Sequence, residues 1–463
     1  MTPLYDLEQP VLGEVARFLD TVRSDGMPPT VIQQGERLLL DTAGCMIAGA
    51  GASPSTPMID TFASWAGPPV ADVLGTTIRT SPSDAAFVNA YTADVLDFEE
   101  TLISHPSAVV LAAGLAVAQD VGASGHDLVT AVSAGYEVGS RLGAAMVPSP
   151  AKRRESAAEF WWKSVAAAIT SGMLLGVEGE HWADVIGYAT SASPAARRGG
   201  FEFRPLSHLK ANYSGQAQVG VHAAYLAARG FRTYRAMLDG HRTFAELLGS
   251  DRWDPEVLID GLGERWYTER IGFKAYPACL YLHALLESID VARGEQGVRP
   301  EDIRSVTAFV PALLRNEMDV RRPRHIIDAQ FSAPFAAAAL LVDPRPTASW
   351  LSDDRLGDPE TLAMTDRIQL EERPSYTELH RRDGRVRAGV RIELVSGAVL
   401  TADVDTIRGS AARPLSNTEL IEKFVSSTTS WLGPARARAA ADSLLRSAGA
   451  GHVEDLMEAV RRT

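Results

Sequence analysis

The sequence has little cysteine: Cys45 and Cys279 are the only two among its 463 residues. Two cysteines exclude a disulfide-rich framework, and a chain of this length can bury a large core without one. Cys45 lies in the apolar segment LLLDTAGCMIAGA, where we predict a small core residue. The sequence also lacks CxxC, HExxH, a phosphate-binding loop and a dinucleotide-binding glycine pattern. We therefore expect neither a nucleotide cofactor nor a tightly bound metal.

Long hydrophobic runs and excess positive charge are missing as well. No apolar stretch reaches about 18 residues without polar interruption, which argues against a membrane span. The first residues, MTPLYDLEQPVL, lack the basic and apolar regions of a secretory signal, so we expect a cytoplasmic protein. The formal net charge of −13 at pH 7 argues against binding to nucleic acid or anionic membranes. An anionic small molecule remains compatible with this charge, because a pocket can be basic within an acidic protein.

Residues 1–270 are predicted to form a large helical domain. Apolar residues recur at helical spacing in residues 31–50, and residues 107–125 are rich in Ala, Val and Gly. Helices that are apolar nearly all round lie at the centre of a domain, and small residues let them pack closely. A further helix is predicted within SPSDAAFVNAYTADVLDF, with Ser83 and Asp84 as N-cap candidates.

The pattern changes after residue 270, where residues 271–405 are predicted to form a smaller α+β lid domain. This part contains the strand-like run VTAFV and the alternating segment RVRAGVRIELVSGAVLTADVD, whose central Ser-Gly pair predicts a β-hairpin. Residues 406–463 are helical again after a capping-box pattern at Ser416 and Glu419. We expect these last helices to return to the helical domain. The predicted fold class is therefore mainly α with an α+β part.

The first candidate for chemistry is the histidine in DFEETLISHPSAVV. Pro106 suits the first position of a helix, which places His105 at or beside its N-cap. Free backbone N–H groups and the helix dipole then favour an anion and lower the pKa of the imidazole, so His105 can act as a base near pH 7. Asp97 and Thr101 are expected to share a helix face, with acidic residues orienting the ring. The alternative is that His105 is an ordinary capping residue.

Two further segments contain lysines beside other polar groups. Lys210 precedes Tyr213 and a small-residue helix in KANYSGQAQVGVHAAYLA, and a lysine aimed at a helix start is suited to hold a carboxylate. The segment FKAYPACLYLHALL contains Lys274, Tyr276, Cys279 and His283. Cys279 and His283 are four residues apart and are predicted to share one helix face, either as an acid–base pair or as mere neighbours.

Together these segments resemble the MmgE/PrpD, or 2-methylcitrate dehydratase, family, which includes cis-aconitate decarboxylase and an iminodisuccinate epimerase. The matching pieces follow the family order: LLLDTAGCMIAGA, AAFVNAYTADVLDFEET with SHPSAVVLAAGLAVAQ, SGHDLVTAVSAGYEVGSRLG, KANYSGQAQVGVHAAYLAARGF, FKAYPACLYLHALLESID and DAQFSAPFAAAALL. The resemblance implies a large all-helical domain with an α+β lid, a homodimer, and a site between the domains. It also implies a small carboxylic acid substrate, no cofactor, and proton transfer next to a carboxylate with loss of water or carbon dioxide.

The resemblance assigns roles to individual residues. It carries over Asp97, Thr101 and His105 from the first family segment, and Lys210 and Lys274 from the two later ones. Four further residues near these positions are predicted to contact the substrate: Ser107, Lys163, Arg204 and Tyr276. Cys279 and Tyr213 are candidates for an opposing proton donor, with Asp97 orienting His105.

Several family histidines are replaced in this chain. The family has a second active-site histidine near position 157, whereas no histidine lies between His126 and His181 here. Tyr213 and Cys279 occupy two other family histidine positions, and Phe335 occupies that of a tyrosine. The altered regions instead contain basic and aromatic residues: Arg153, Arg154, Trp161, Trp162, Lys163, Arg197, Arg198 and Arg204. One interpretation is a pocket reshaped for a bulkier or partly apolar acid; the other is solvated basic groups beside buried tryptophans.

Three functions fit these observations. The first is a cofactor-independent dehydratase or decarboxylase that diverges from strict 2-methylcitrate dehydratase. The second is an isomerase or epimerase that uses His105 with Cys279 or Tyr213 on opposite faces of one carbon. The third is a non-catalytic relative, which the lost histidine favours and the retained His105, Lys210 and Lys274 oppose.

Overall fold

The computed structural model describes residues 10–462 except 66, 103, 150, 153–154, 159, 194–207, 240–242 and 295–296. Of residues 208–209 it describes only the backbone. The candidates Arg153, Arg154, Arg197, Arg198 and Arg204 therefore lie outside the described residues. None of the helices in the described ranges is long and apolar enough to cross a membrane.

The N-terminal part consists mainly of helices. Their bounds are α1 Pro10–Asp25, α2 Pro29–Ala50, α3 Thr56–Ser64, α4 Pro82–Asp94, α5 Ser107–Val121, α6 Gly125–Ala145, α7 Lys163–Leu174, α8 Trp182–Ser191, α9 His208–Ala228, α10 Phe244–Leu247 and α11 Pro255–Ile259. Two short antiparallel strand pairs accompany them: β1 Ala71–Asp72 with β2 Arg79–Thr80, and β3 Glu100–Thr101 with β4 Gly272–Phe273. The second pair joins the two parts of the chain.

The central helices α4, α5, α6, α7 and α9 pack on one another, as the small-residue pattern predicts. A Cβ added to Gly139 on α6 would lie 2.5 Å from the Cβ of Ala166 on α7, so only glycine permits this separation. Helix α4 begins two or three residues earlier than the N-cap candidates Ser83 and Asp84 imply. Ser81 caps it, because its side chain accepts the Asp84 N–H and Pro82 takes the first helical position.

The second part is built on a four-stranded sheet with the order β6-β5-β7-β8. The strands are β5 Ile303–Val310, β6 Ile368–Glu372, β7 Ala388–Leu394 and β8 Val399–Val404. Strand β5 pairs parallel with β6 and antiparallel with β7, and β7 and β8 form the predicted hairpin. The helices of this part are α12 His283–Arg293, α13 Ala312–Glu317, α14 Ile326–Ala329, α15 Ala333–Val342, α16 Asp353–Gly357, α17 Pro359–Asp366 and α18 Pro374–Asp383. Helix α12 packs against β7 and β8.

Three helices complete the chain: α19 Asn417–Leu432, α20 Pro434–Leu444 and α21 Val453–Val460. The capping box predicted at Ser416 and Glu419 is confirmed at the start of α19. Helix α19 packs along α2, and Lys423 on α19 forms an ion pair of 2.6 Å with the buried Asp41 on α2. The domain boundaries after residues 270 and 405 stay predictions.

Candidate active site

The segment between α4 and α5 forms a strained bend rather than a helix. Asp97, Ser104 and His105 have positive φ values of 52°, 56° and 58°. The prediction that Asp97 and Thr101 share a helix face is therefore wrong, and Thr101 instead pairs with Gly272 through β3 and β4. Proline disfavours the right-handed helical conformation in the residue before it, which prevents α5 from extending back through His105. Left-handed conformations outside glycine are costly, and they concentrate at functional sites.

The bend holds the His105 ring by its Nδ1 atom. Glu99 Oε1 lies 2.9 Å from His105 Nδ1, whereas Asp97 Oδ1 lies 3.8 Å from Nε2. An ionised carboxylate only accepts hydrogen bonds, so we assign the ring hydrogen to Nδ1 and a free lone pair to Nε2. Glu99, and not Asp97 as expected, is thus the residue that orients the imidazole.

Burial lowers the pKa of His105, and the Lys274 ammonium lowers it further against the opposing effect of Glu99. The sequence predicts a lowered pKa for His105, and the structure agrees. The main cause of the shift, however, is burial of the ring rather than a helix dipole. Burial would raise the pKa of Glu99, yet His105 and Lys274 hold it well below its ordinary value. The pair is therefore a neutral imidazole against a carboxylate at pH 7.

The N-terminus of α5 is not an open anion site. The backbone N–H of Ser107 donates to Glu100 Oε1 at 2.7 Å, so the protein's own carboxyl group takes the position predicted for a ligand. Burial raises the pKa of Glu100 to about 8. Ser107 is fully buried, and its role as a substrate contact stays a prediction.

Lys210 and Lys274 both reach the bend. Lys210 lies in the first turn of α9, and its Nζ is 3.1 Å from Asp94 Oδ2 and 3.8 Å from Asp97 Oδ2. Lys274 follows β4, and the β3–β4 pairing places its ammonium against the Asp97 carboxylate and 2.8 Å from the Asp97 carbonyl oxygen. Both lysines are buried. The structure thus brings together His105, Asp97, Lys210 and Lys274.

The charges of this cluster are balanced. Burial would raise the pKa of Asp97, but Lys210, Lys274 and His105 lower it to about 2. Burial raises the pKa of Asp94 well above its ordinary value, and Asp94 shares a hydrogen bond with Glu99. Burial opposes the charge of both lysines, but the carboxylates outweigh it and raise the pKa of each ammonium. Two ammonium groups therefore face the Asp97 and Glu99 carboxylates, while burial shifts Asp94 towards its protonated form.

Ligand atoms of Asp94, Asp97, Glu99 and His105 all lie within 4.8 Å of one another, a spacing that can hold a metal ion. The ammonium groups of Lys210 and Lys274 already contact the same carboxylates. A divalent cation here would be repelled by two buried charges at close range. We therefore predict that dialysis against a chelator leaves turnover unchanged, measured before and after re-addition of Mg²⁺, Zn²⁺ or Fe²⁺. Loss of turnover with recovery by one of these metals would contradict the assignment.

Lys163 and Tyr213 lie on the other side of the bend. The Lys163 Nζ is 3.3 Å from Ser104 Oγ, donates to the Phe160 carbonyl at 2.9 Å, and lies 4.9 Å from the Tyr213 ring centroid. Tyr213 meets His105 edge-on, with 6.4 Å between ring centroids. The segment that lacks the second family histidine thus brings a buried lysine beside His105. Trp161 and Trp162 are buried, as one interpretation of this segment expects.

Tyr276 contacts residues of the C-terminal part of the chain. Its hydroxyl donates to Asp290 Oδ2 at 2.6 Å, and its ring stacks on Trp350 with 6.3 Å between centroids. Asp290 lies on α12 and is not part of the charged cluster. The prediction of Tyr276 as a substrate contact is therefore not supported by its hydrogen bonding.

Cys279 and His283 do not share a helix face. Cys279 precedes a 3₁₀ turn, Leu280–Leu282, and α12 begins only at His283. Burial lowers the pKa of His283 to about 3, and its Nε2 contacts the Ala278 carbonyl at 3.2 Å. His283 is thus a core residue, which decides against an acid–base pair. Burial raises the pKa of Cys279 to about 11, so its thiol stays protonated at pH 7.

No local sequence pattern predicted a role for Lys423, although Lys423 contacts two segments of the site. Its Nζ donates to the Phe98 carbonyl at 2.6 Å and the Lys274 carbonyl at 3.0 Å, and pairs with Asp41 at 2.6 Å. One ammonium thus fixes the bend and the segment that carries Lys274. Glu99 and Asp94 were also missed, although the acidic run DVLDFEE contains both.

We predict that Lys423→Met lowers the free energy of unfolding by about 3 kcal/mol, because it leaves a buried carboxylate and two carbonyl oxygens without their donor. Thermal and urea unfolding of the single variant and of Asp41→Asn/Lys423→Met measure this effect. The double variant should recover much of the loss, since it removes the unpaired charge. Unchanged stability of the single variant would remove Lys423 from its supporting role.

Family models match both parts of the chain. The model described as "MmgE/PrpD N-terminal domain" matches residues 13–256, and the "MmgE/PrpD C-terminal domain" matches residues 276–447. Similar proteins include a cis-aconitate decarboxylase of Aspergillus terreus, 26% identical over 89% of this chain and 88% of that protein. The cis-aconitate decarboxylase of Homo sapiens is 26% identical over 85% of this chain and 82% of the human protein. The cis-aconitate decarboxylase of Mus musculus is 24% identical over 89% of this chain and 86% of the mouse protein.

Proposed function

Because the chain belongs to the MmgE/PrpD family, we propose that it is a cofactor-independent lyase that transfers a proton next to a carboxylate of its substrate. The decarboxylase activity named for its relatives supports lyase chemistry at low identity. The single observation that carries the proposal is the neutral His105 imidazole, held by Glu99 at 2.9 Å, beside two buried lysines. A base next to fixed positive charge is what removal of a proton α to a carboxylate requires.

In the proposed reaction, His105 Nε2 exchanges a proton with the carbon next to the substrate carboxylate. Lys210 and Lys274 place positive charge beside that carboxylate and stabilise the enolate-like charge that develops. In a dehydration, the abstracted proton and the hydroxyl group of the adjacent carbon leave as water. In a decarboxylation, the bond between the carbon and its carboxylate breaks, carbon dioxide leaves, and the resulting carbanion takes up a proton that His105 has first bound from solvent. Lys163 is proposed to contact a second polar group of the substrate.

Product analysis tests the reaction class. Hydroxylated and unsaturated di- and tricarboxylic acids, cis-aconitate among them, are incubated with the protein and followed by ¹³C NMR. New vinylic carbons with loss of a hydroxylated carbon indicate dehydration, and loss of a carboxyl carbon indicates decarboxylation. Absence of both, with scrambling of configuration instead, would contradict a lyase. We also propose a homodimer, as the family resemblance implies, and a cytoplasmic location, as expected from the first residues; the mass in solution tests the dimer.

An isomerase or epimerase is the second candidate, favoured by the protonated Cys279 thiol. Such an enzyme needs a base and an acid on opposite faces of one carbon. Because the pKa of Cys279 is raised to about 11, its thiol holds the proton that the acid in such a reaction has to deliver. Cys279→Ala distinguishes the candidates: it should abolish inversion of configuration while leaving deuterium exchange by His105 measurable.

The pH dependence follows from the lowered pKa of His105. The imidazole acts as a base only when neutral, and burial with Lys274 moves its protonation to a pH below its ordinary value of 6.5. For a reaction that begins with proton abstraction, kcat/KM should be constant from pH 8 to about pH 6.5 and fall below it. A profile measured from pH 5 to 8 in constant ionic strength checks this. An acidic limb with its midpoint above pH 6.5 would contradict a neutral His105.

A further inference from the structure

A cavity of about 620 Å³ lies between α3, α4 and α9. Its walls come from the turn before α3, from α3, α4 and α9, and from the lid: they include Pro54, Met58, Phe62, Phe87, Tyr91, Ala211 and His325. The volume falls within the range of small-molecule sites, about 300–1,000 Å³. Phe62 and Phe87 stack in this wall with 4.9 Å between ring centroids.

The cavity continues the candidate active site along one helix face. On α4, Phe87, Tyr91 and Asp94 are spaced by four and three residues, so the face that lines the cavity presents Asp94 one turn further on. Lys210 Nζ is 3.1 Å from Asp94 Oδ2, so both side chains lie one turn of α4 beyond the residues that line the cavity.

The chemistry of the cavity differs from that of the cluster. Within the described part of the chain, the residues that line it are apolar or neutral, apart from the titratable His325 and Tyr91. The Nδ1 of His325 accepts the backbone N–H of Ile327 at 3.2 Å, which ties that ring to its own turn. Among the described residues that line the cavity, no Lys or Arg would offset the hydration that a carboxylate placed here loses. An alkyl or aryl group would instead gain about 0.8 kcal/mol for each buried CH₂.

We infer that this cavity binds an apolar substituent of the substrate, which makes the substrate class an alkyl- or aryl-substituted carboxylic acid rather than a bare polycarboxylate. The inference rests on the proposed function, because it places the acid group against Lys210. The carboxylate lies at the charged cluster and the substituent extends between α3, α4 and α9. Occupation of the cavity by a second copy of the chain is the competing outcome, and the experiment below separates the two.

Calorimetric titration with succinate and its 2-methyl, 2-butyl and 2-hexyl derivatives tests the inference. For the wild type, Kd should fall about fourfold for each added CH₂ until the cavity is filled. Ala211→Phe fills the cavity from α9, and Thr61→Trp fills it from an exposed position on α3 that tolerates substitution. Both variants should bind succinate as the wild type does, yet lose the dependence on chain length.

The outcomes are distinct. A wild-type Kd that does not change with chain length overturns the inference, and so does a chain-length dependence that survives in both variants. Coverage by a second copy would give a constant Kd together with a change in solution mass for Thr61→Trp, and overturns it as well. If no acid of the series binds, the inference fails, and deuterium exchange on other acids separately decides whether the lyase proposal stands.

Discussion

His105→Asn should lower the rate of substrate proton exchange by about 10²–10⁴-fold, the range that a positioned base contributes. Asparagine is the sharpest replacement because it tolerates the left-handed backbone, φ 58°, that alanine adopts only with strain. Its amide can also donate to Glu99, so that buried carboxylate keeps a partner. The melting temperature should therefore stay within a few degrees of the wild type. Exchange is measured by NMR in deuterium oxide.

His126→Asn is the matched control for this variant, because His126 is exposed at the start of α6. It should exchange substrate protons at the wild-type rate. If His105→Asn is folded and retains full exchange, His105 is not the base. If its melting temperature collapses, His105→Ala and His105→Gln provide independent tests of the same position.

Lys210→Met should weaken acid binding by about 10- to 100-fold, because a hydrogen bond between an ammonium and a carboxylate contributes about 1.5–3 kcal/mol. The loss should fall mainly on KM, with a smaller effect on kcat. The fold should tolerate the change, because burial already raises the pKa of Asp94 well above its ordinary value. Removal of Lys210 takes away the charge that opposes protonation of Asp94, so the side chain can bind a proton instead of remaining an unpaired anion.

Lys152→Met serves as the control for loss of a lysine. Lys152 is exposed and pairs with Glu155 across 2.8 Å, and such surface ion pairs contribute little. Steady-state kinetics and direct titration of the bound acid are compared for the three proteins. An unchanged Kd in Lys210→Met would remove Lys210 from the substrate site and leave Lys274 and Lys163 as the remaining cations.

Regular elements of the fold could be predicted because their signals are local. The small-residue pattern gave the central helices, and alternation around a Ser-Gly pair gave the β7–β8 hairpin. The capping box at Ser416 was predicted because both of its hydrogen bonds join residues three apart. The N-cap of α4 was misplaced by two or three residues, since Ser81, Ser83 and Asp84 all have side chains that can cap a helix.

The geometry of the site could not be read in the same way. The helix expected to unite Asp97 with Thr101 is a bend, because the left-handed residues before Pro106 and the β3–β4 pairing are set by tertiary contacts. Lys423 reaches the site across more than 300 positions of sequence, 325 from Phe98, and no periodicity predicts such a contact. Glu99 displaced Asp97 as the partner of His105 because backbone direction within the bend decides which carboxylate faces the ring.

The replaced histidines were visible in the sequence, but what their surroundings contain was not. Structure shows that Lys163 contacts Ser104 and faces Tyr213, directly beside His105. The polar groups on this side therefore differ from those that the family resemblance implies.

The most direct test of the central claim is deuterium incorporation from solvent into a panel of di- and tricarboxylic acids, both bare and alkyl-substituted. The wild type and His105→Asn are followed in parallel by ¹H NMR in deuterium oxide. We predict exchange at a carbon next to a carboxylate with the wild type and none above background with His105→Asn. Exchange that persists without His105, or a wild type that exchanges no acid of the panel, would contradict proton transfer by this site.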